Sequence, residues 1–206
     1  AASDVYKRQA LLLFGTLLLK LTESISWLGA FFYSVSARTA GFSTYNLGDF
    51  STAGLLVVSG LMFIGASPAS TGGGIKTTTF FVLLSGIYSA ATNHSERAFH
   101  NAIPKDAFRK ASVISILAAF LVMTASYLML IFDPQLSLRD VLFEMISAFS
   151  TSGLSTGITP QLSAQSRILS IIMMYIGRLG PLTVASLWYF TIGERVRYPE
   201  GTIAIG

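Results

Sequence analysis

Thr39-Ala40-Gly41-Phe42-Ser43-Thr44 returns as Thr151-Ser152-Gly153-Leu154-Ser155-Thr156, each residue 112 positions from its counterpart. The same offset carries Met62-Phe63-Ile64-Gly65 onto Met174-Tyr175-Ile176-Gly177. A duplication in register restricts the fold more than any composition value, because both copies must build the same local structure. Each copy reads as a short amphipathic segment, a Thr-x-Gly turn, and a long apolar run with a Gly break. That order predicts a membrane helix, a short re-entrant pore helix, a filter lined by backbone, and a second membrane helix. Repeats of this kind place a transport site at their interface. The reading is cation permeation.

Composition supports a bilayer as the solvent. Charged residues make up 12% of the chain and hydrophobic ones 52%, where a soluble domain carries about 25% charge. The absence of cysteine excludes disulfides and thiolate metal sites. Basic residues are scattered or gathered in one loop, so the net charge of +4 carries no nucleic-acid signature. No small-residue cleavage site follows the apolar run from Ala10, and no cleavable signal peptide is expected.

Residues 1–9 are polar, match nothing in the repeat, and are read as a foreign or misjoined start. The apolar run Ala10 to Leu19 would rise about 15 Å as a helix, half of a roughly 30 Å hydrocarbon core. It fits either a short interfacial helix or, as preferred here, a spanning helix without its upstream half. Ser24 to Ala37 carries Ile25, Leu28, Phe31, Phe32 and Val35 at helical spacing and is too short to span, which suits a pore helix. Beyond the turn, Asp49 or Ser51 is the expected cap of a second helix. That helix must break, because Ser67-Pro68-Ala69-Ser70-Thr71-Gly72-Gly73-Gly74 is among the poorest helix-forming octets available. Neither apolar half, Ala53–Ala66 or Ile75–Ala91, spans alone, and the octet holds no charge. It is therefore read as backbone lining a cavity at membrane depth, rather than as an ordinary loop.

Asn93 to Lys110 is strongly polar and net basic, hence cytoplasmic by the positive-inside rule. Ala111 to Phe132 is the clearest full span, Leu136 to Ser150 the second pore helix, and Ile168 to Ile192 the last span. The basic tail at Glu194, Arg195 and Arg197 falls on the same side only if each filter segment dips in and returns. The expected organisation is a first unit at 10–92, a loop at 93–110, and a second unit with a short tail at 111–206. The fold class is an all-α, multi-pass protein of the cytoplasmic membrane with two potassium-channel-like helix–pore-helix–filter–helix repeats.

A cation crossing a membrane needs oxygen ligands that replace water, and rings of backbone carbonyls supply them. Thr39, Ala40, Gly41 and Phe42, with Thr151, Ser152, Gly153 and Leu154, are the candidate filter. They keep the Thr and first Gly of a potassium-channel loop, but carry Ser43 and Ser155 where a second Gly would stand. Less glycine geometry implies looser selectivity. Arg178 lies about ten residues into the last apolar run, where a charge faces a cavity or a partner. Its repeat counterpart is Ala66, beside the octet. It is read as an electrostatic barrier or an anchor for loop carbonyls; the plainer alternative has it bonding backbone near Gly180-Pro181. Lys76, after the octet, is read as reaching toward the inner surface.

Two motifs compete. Gly153-Leu154-Ser155-Thr156-Gly157 matches the nucleophile elbow of serine hydrolases, but the only histidines, His94 and His100, fall in the predicted cytoplasmic loop. Gly72-Gly73-Gly74-Ile75-Lys76-Thr77 is close to a phosphate-binding loop, with Ile75 breaking the pattern. No metal-ligand cluster and no cofactor is expected; potassium, or sodium, is the cargo. A secondary transporter with discontinuous helices is the runner-up.

Ser36-Ala37-Arg38-Thr39-Ala40-Gly41-Phe42-Ser43-Thr44, Pro68 to Thr77, and Gly177-Arg178-Leu179-Gly180-Pro181 together resemble the Trk/Ktr family of potassium-uptake proteins, in particular the Ktr-type membrane subunit. The resemblance runs from about Ala10 to the C-terminus. It implies a four-repeat pore of which this chain matches the third and fourth repeats. It implies filter roles for the two turns, and a gating loop formed by Ala66, Ser67, Pro68, Ala69, Ser70, Thr71, Gly72, Gly73, Gly74 and Lys76 with Arg178 against it. It also implies a homodimer in membrane lipid, opened by a cytosolic nucleotide-binding regulatory ring docked near the 93–110 loop.

Overall fold

The computed structural model describes residues 2–68, 70–92, 97–98, 101–102, 105–180 and 183. Ala69, His94, His100, Pro181 and the basic tail lie outside these residues. The architecture is helical: α1 (Ala2–Thr22), α2 (Trp27–Ser36), α3 (Thr52–Phe63), α4 (Thr77–Thr92), α5 (Lys105–Phe132), α6 (Leu138–Ser150) and α7 (Ala164–Leu179). Two-residue strands β1 (Arg97–Ala98) and β2 (Asn101–Ala102) pair antiparallel between α4 and α5. The all-α expectation thus gains one minimal hairpin.

Serine hydroxyls start four of these helices. Ser26, Ser51, Ser137 and Ser163 accept from the amides of Gly29, Gly54, Asp140 and Ser166, satisfying donors that the first turn leaves open. The cap of α3 is Ser51; Asp49 lies instead in a 3-10 turn at Leu47–Asp49. Ser51 and Ser163 stand at the repeat offset, and each is held by a carboxylate from the preceding helix end. Glu23 Oε1 accepts from the Ser51 amide (2.9 Å) and hydroxyl (2.6 Å). Asp133 Oδ2 accepts from the Ser163 amide (3.1 Å) and hydroxyl (3.0 Å).

Several boundaries differ from the sequence reading. The helix α1 begins within the polar segment 1–9 and runs on into the apolar run, Lys7, Arg8 and Gln9 being good helix formers. Lys7 is pinned over the Phe81 ring of α4, 3.7 Å from its centroid. The polar loop is shorter than expected, since α5 begins at Lys105 rather than Ala111. The last helix ends at Leu179, and its expected extension to Ile192 falls beyond the described stretch.

Two buried clusters form the interior, and each borrows from the other unit. Phe143 and Leu154 join Tyr33, Leu55, Val58 and Met62 of the first unit. Ile75 joins Val122, Met129, Met145, Phe149 and Met173 of the second. Large apolar side chains also cover the outside. Ile116, Phe120, Met123 and Tyr127 make an exposed stripe along one face of α5. Residues 107–132 are the one stretch of the described chain long and apolar enough to cross a membrane. The halves flanking the octet, α3 and α4, have 12 and 16 residues.

Candidate functional site

The two turns follow the C-termini of α2 and α6. Thr39 (φ 71°) and Gly41 (φ 76°) are left-handed, and so are Thr151 (φ 54°) and Gly153 (φ 83°). Left-handed backbone is free for Gly but strained for a β-branched residue, so the threonines must be held. Bonds from the helix ends do this. The Ala40 and Gly41 amides donate to Ser36 O (3.1 and 3.2 Å), and the Ser152 amide to Ser147 O (3.1 Å). The Ser36 hydroxyl donates to the Phe42 carbonyl, and Ser147 Oγ to the Leu154 carbonyl at 2.5 Å. Those two carbonyls occupy equivalent places in the repeat.

Gly41 and Gly153 meet. A Cβ on Gly41 would collide with the Ser152 carbonyl oxygen, and a Cβ on Gly153 would stand 3.9 Å from the Gly41 Cα. The turns therefore face each other through bare backbone. The Ser152 hydroxyl turns away, toward Ser147 Oγ (3.0 Å) and Met62 Sδ (2.9 Å).

The Gly-rich loop between α3 and α4 sits against both turns. Its ends are closed by a parallel bridge between Ile64 and Ile75, with the Ile75 amide on Phe63 O at 3.0 Å. The Gly73 amide donates to Thr151 Oγ1 at 3.0 Å. A Cβ on Gly73 would stand 2.8 and 2.9 Å from the Phe149 and Ser150 carbonyl oxygens, and one on Gly72 only 2.7 Å from Thr39 Oγ1. Both turn threonines thus border the loop, and glycine is required for that approach.

Two cations grip the loop. Lys76 Nζ donates to the carbonyls of Gly72 (2.6 Å) and Ser70 (3.3 Å), and Arg178 Nη1 donates to the Thr71 carbonyl. Lys76 therefore bonds back onto the loop that precedes it. Within the loop, Ser70 bonds Ser67 O through its amide (3.1 Å) and its hydroxyl (2.7 Å).

The hydroxyl of Ser155 lies 3.1 Å from Glu144 Oε1 and 2.9 Å from Thr159 Oγ1, and it accepts from the Gly157 amide at 3.0 Å. A helix, α6, precedes it rather than a strand. This is a structural hydroxyl in a loop, not a nucleophile elbow.

A model of the family described as "TrkH: Cation transport protein" matches residues 10–191. The chain belongs to the TrkH cation transport family. It is 37% identical over 187 residues to the Ktr system potassium uptake protein B of Vibrio alginolyticus, covering 90% of this chain and 41% of that protein. It is 33% identical over 199 residues to the potassium/sodium uptake protein NtpJ of Enterococcus hirae, covering 93% and 44%. The crystal structure of the potassium transporter TrkH from Vibrio parahaemolyticus superposes with a TM-score of 0.73 at 19% identity, over 91% of this chain and 43% of that one; this is a likeness of fold. The chain spans about two fifths of the length of these relatives, which are named as transport proteins rather than enzymes.

Within this TrkH-family chain, the two Thr-x-Gly turns, the described part of the octet, Lys76 and Arg178 come together in one place. The equivalence of the turns stops at the fourth residue: Leu154 is 2% exposed in the first unit's interior, whereas Phe42 is 71% exposed. Sequence reasoning missed Ser36 and Ser147, which brace the turns, and Glu144, which braces the residues beyond the second turn. A serine in the last turn of each predicted pore helix was the available signal.

Proposed function

We propose that this chain supplies two units of a pore that conducts potassium, with sodium as the lesser cargo, across the cytoplasmic membrane. The observation that carries the reading is the meeting of Gly41 and Gly153 through bare backbone directly beside the Gly-rich loop. In this reading Thr39–Phe42 and Thr151–Leu154 line a filter whose carbonyls replace the hydration shell. Ser36 and Ser147 hold the Phe42 and Leu154 carbonyls from behind. The segment Ala66–Gly74, latched by Lys76 and Arg178, blocks the path below.

Exposed Phe42 supports a larger ring of units. Its counterpart Leu154 is buried in the neighbouring unit's core, so Phe42 fits the core of a further unit preceding the first, as in a four-unit pore. The apolar stripe of α5 fits lipid, and α3 and α4 fit the two halves of a broken spanning helix. A secondary transporter shares the broken helix but does not call for paired left-handed turns. A homodimer gated by a cytosolic nucleotide-binding ring completes the proposal.

The test is rescue of potassium-uptake-deficient cells by the full gene. Gly41→Ser, which meets the Ser152 carbonyl, should abolish growth at low potassium or degrade ion preference, and Gly153→Ser should weaken it. Wild-type rescue with unchanged ion preference by both variants refutes the filter.

A further inference from the structure

We propose that Glu144 is a positioning residue for ion preference, the carboxyl that fixes the second turn from behind; this rests on the pore reading above. Glu144 is 7% exposed and lines a cavity of about 460 Å³ with Ser147, Thr151, Gly153, Ser155 and Thr159. A buried carboxyl is costly unless hydrogen-bonded, so its partners show what holds it there. Its Oε1 accepts from the Ser155 hydroxyl at 3.1 Å and from the Thr159 hydroxyl. Oε2 is buried and has no partner among the described residues. Both donors lie just past Leu154, so the carboxyl ties the segment leaving the turn to α6.

The first unit has the same device built from a different residue. Tyr33 precedes Ser36 by three positions, as Glu144 precedes Ser147, and so sits one helical turn further from the filter segment. The Tyr33 hydroxyl accepts from the amides of Thr44 (3.2 Å) and Tyr45 (2.8 Å) and lies 2.7 Å from Tyr45 O. Each turn therefore has two braces from the helix before it. A serine holds the carbonyl after the Gly, and a longer side chain holds the segment beyond. Thr151 keeps its strained φ only while both ends of its turn are fixed. Carbonyl ligands favour one cation only while their geometry is fixed, so slack in this brace changes preference before it changes insertion.

The variants separate a brace from a charge and from plain stability. Glu144→Gln keeps Oε1 as an acceptor; Glu144→Ala removes it; Glu144→Asp is one carbon too short. Ser155→Ala/Thr159→Val removes both donors and leaves the carboxyl. The readout, from the full gene in potassium-uptake-deficient cells, is the ratio of rubidium to sodium uptake, normalised to protein in the membrane. Glu144→Gln should keep the wild-type ratio. Glu144→Ala, Glu144→Asp and the double variant should each lower it several-fold, with no further loss on combining Glu144→Ala with the double variant. An unchanged ratio in the double variant overturns the proposal, even if Glu144→Ala fails to insert. So does a Glu144→Gln loss as large as that of Glu144→Ala, which would make charge the cause. If the wild-type gene moves no cation, the pore reading falls and this one with it.

Discussion

The amide of Gly73 and the hydroxyl of Thr151, 78 residues apart, meet in a hydrogen bond of 3.0 Å. It joins the Gly-rich loop to the second turn directly, so the segment proposed to close the path is bonded to the segment proposed to select the ion. A net hydrogen bond is worth about 1 kcal/mol. Thr151→Val, which keeps the shape and loses the acceptor, should therefore raise flux roughly fivefold if the loop is the closed gate, while Thr151→Ser stays near wild type. Radiotracer uptake in proteoliposomes of the full-length protein checks this.

Arg178 grips the Thr71 carbonyl from α7, and a guanidinium offers a rigid fork that an ammonium lacks. Arg178→Ala should raise flux and reduce dependence on the proposed regulatory ring, as should deletion of Gly72–Gly74. Arg178→Lys should recover the closed state only in part. A fall in flux in Arg178→Ala, with normal membrane insertion, would make the arginine purely structural.

Asp133 stands just past the end of α5. The Ser166 hydroxyl, then the Ser163 amide and hydroxyl and Gln135, hold its carboxyl below the usual range against the opposing effect of burial. A lowered folded-state pKa means the unfolded chain binds the proton first as pH falls. The stabilisation is thus complete above the ordinary aspartate pKa of about 3.9 and is lost as pH drops through and below it. Thermal unfolding in detergent should show Asp133→Asn less stable than wild type at pH 7, with the difference shrinking toward pH 3.

Ser155 gives its hydroxyl to Glu144. A fluorophosphonate probe should leave it unlabelled, and Ser155→Ala alone should retain most flux, because Thr159 still reaches Glu144. Stoichiometric labelling would revive the hydrolase.

The repeat at 112 made the turns legible and the Gly-rich octet the break between α3 and α4, since both depend on local backbone chemistry: Gly at left-handed positions and an octet that cannot be helical. Ser51 and Ser163 obey the same offset. The short helices do not, because Ser26, Tyr33 and Ser36 correspond to Ser137, Glu144 and Ser147, one residue closer. α2 stops at a right-handed Ala37, whereas α6 runs up to a left-handed Thr151, and that slip hid the braces from a fixed-register comparison. Glu23 and Asp133 were hidden for another reason. Each is a lone acidic residue at a helix end, and only folding brings it to its serine. Nothing in the neighbours of Lys76 reveals the Gly72 and Ser70 carbonyls folded back toward it; only the family resemblance placed it with the loop.

The exchange of side chains between the two interiors has a consequence for how the protein is made. Tyr33, Val58 and Met62 share one buried cluster with Phe143 and Leu154, so the first unit leaves the ribosome without a finished interior. It must wait through roughly sixty further residues of synthesis, from 92 to Leu154, before it can close. During that interval its loose packing is exposed to insertion chaperones and quality-control proteases. A damaging substitution at Leu154 would thus be felt first as failed maturation of a unit synthesised well before it.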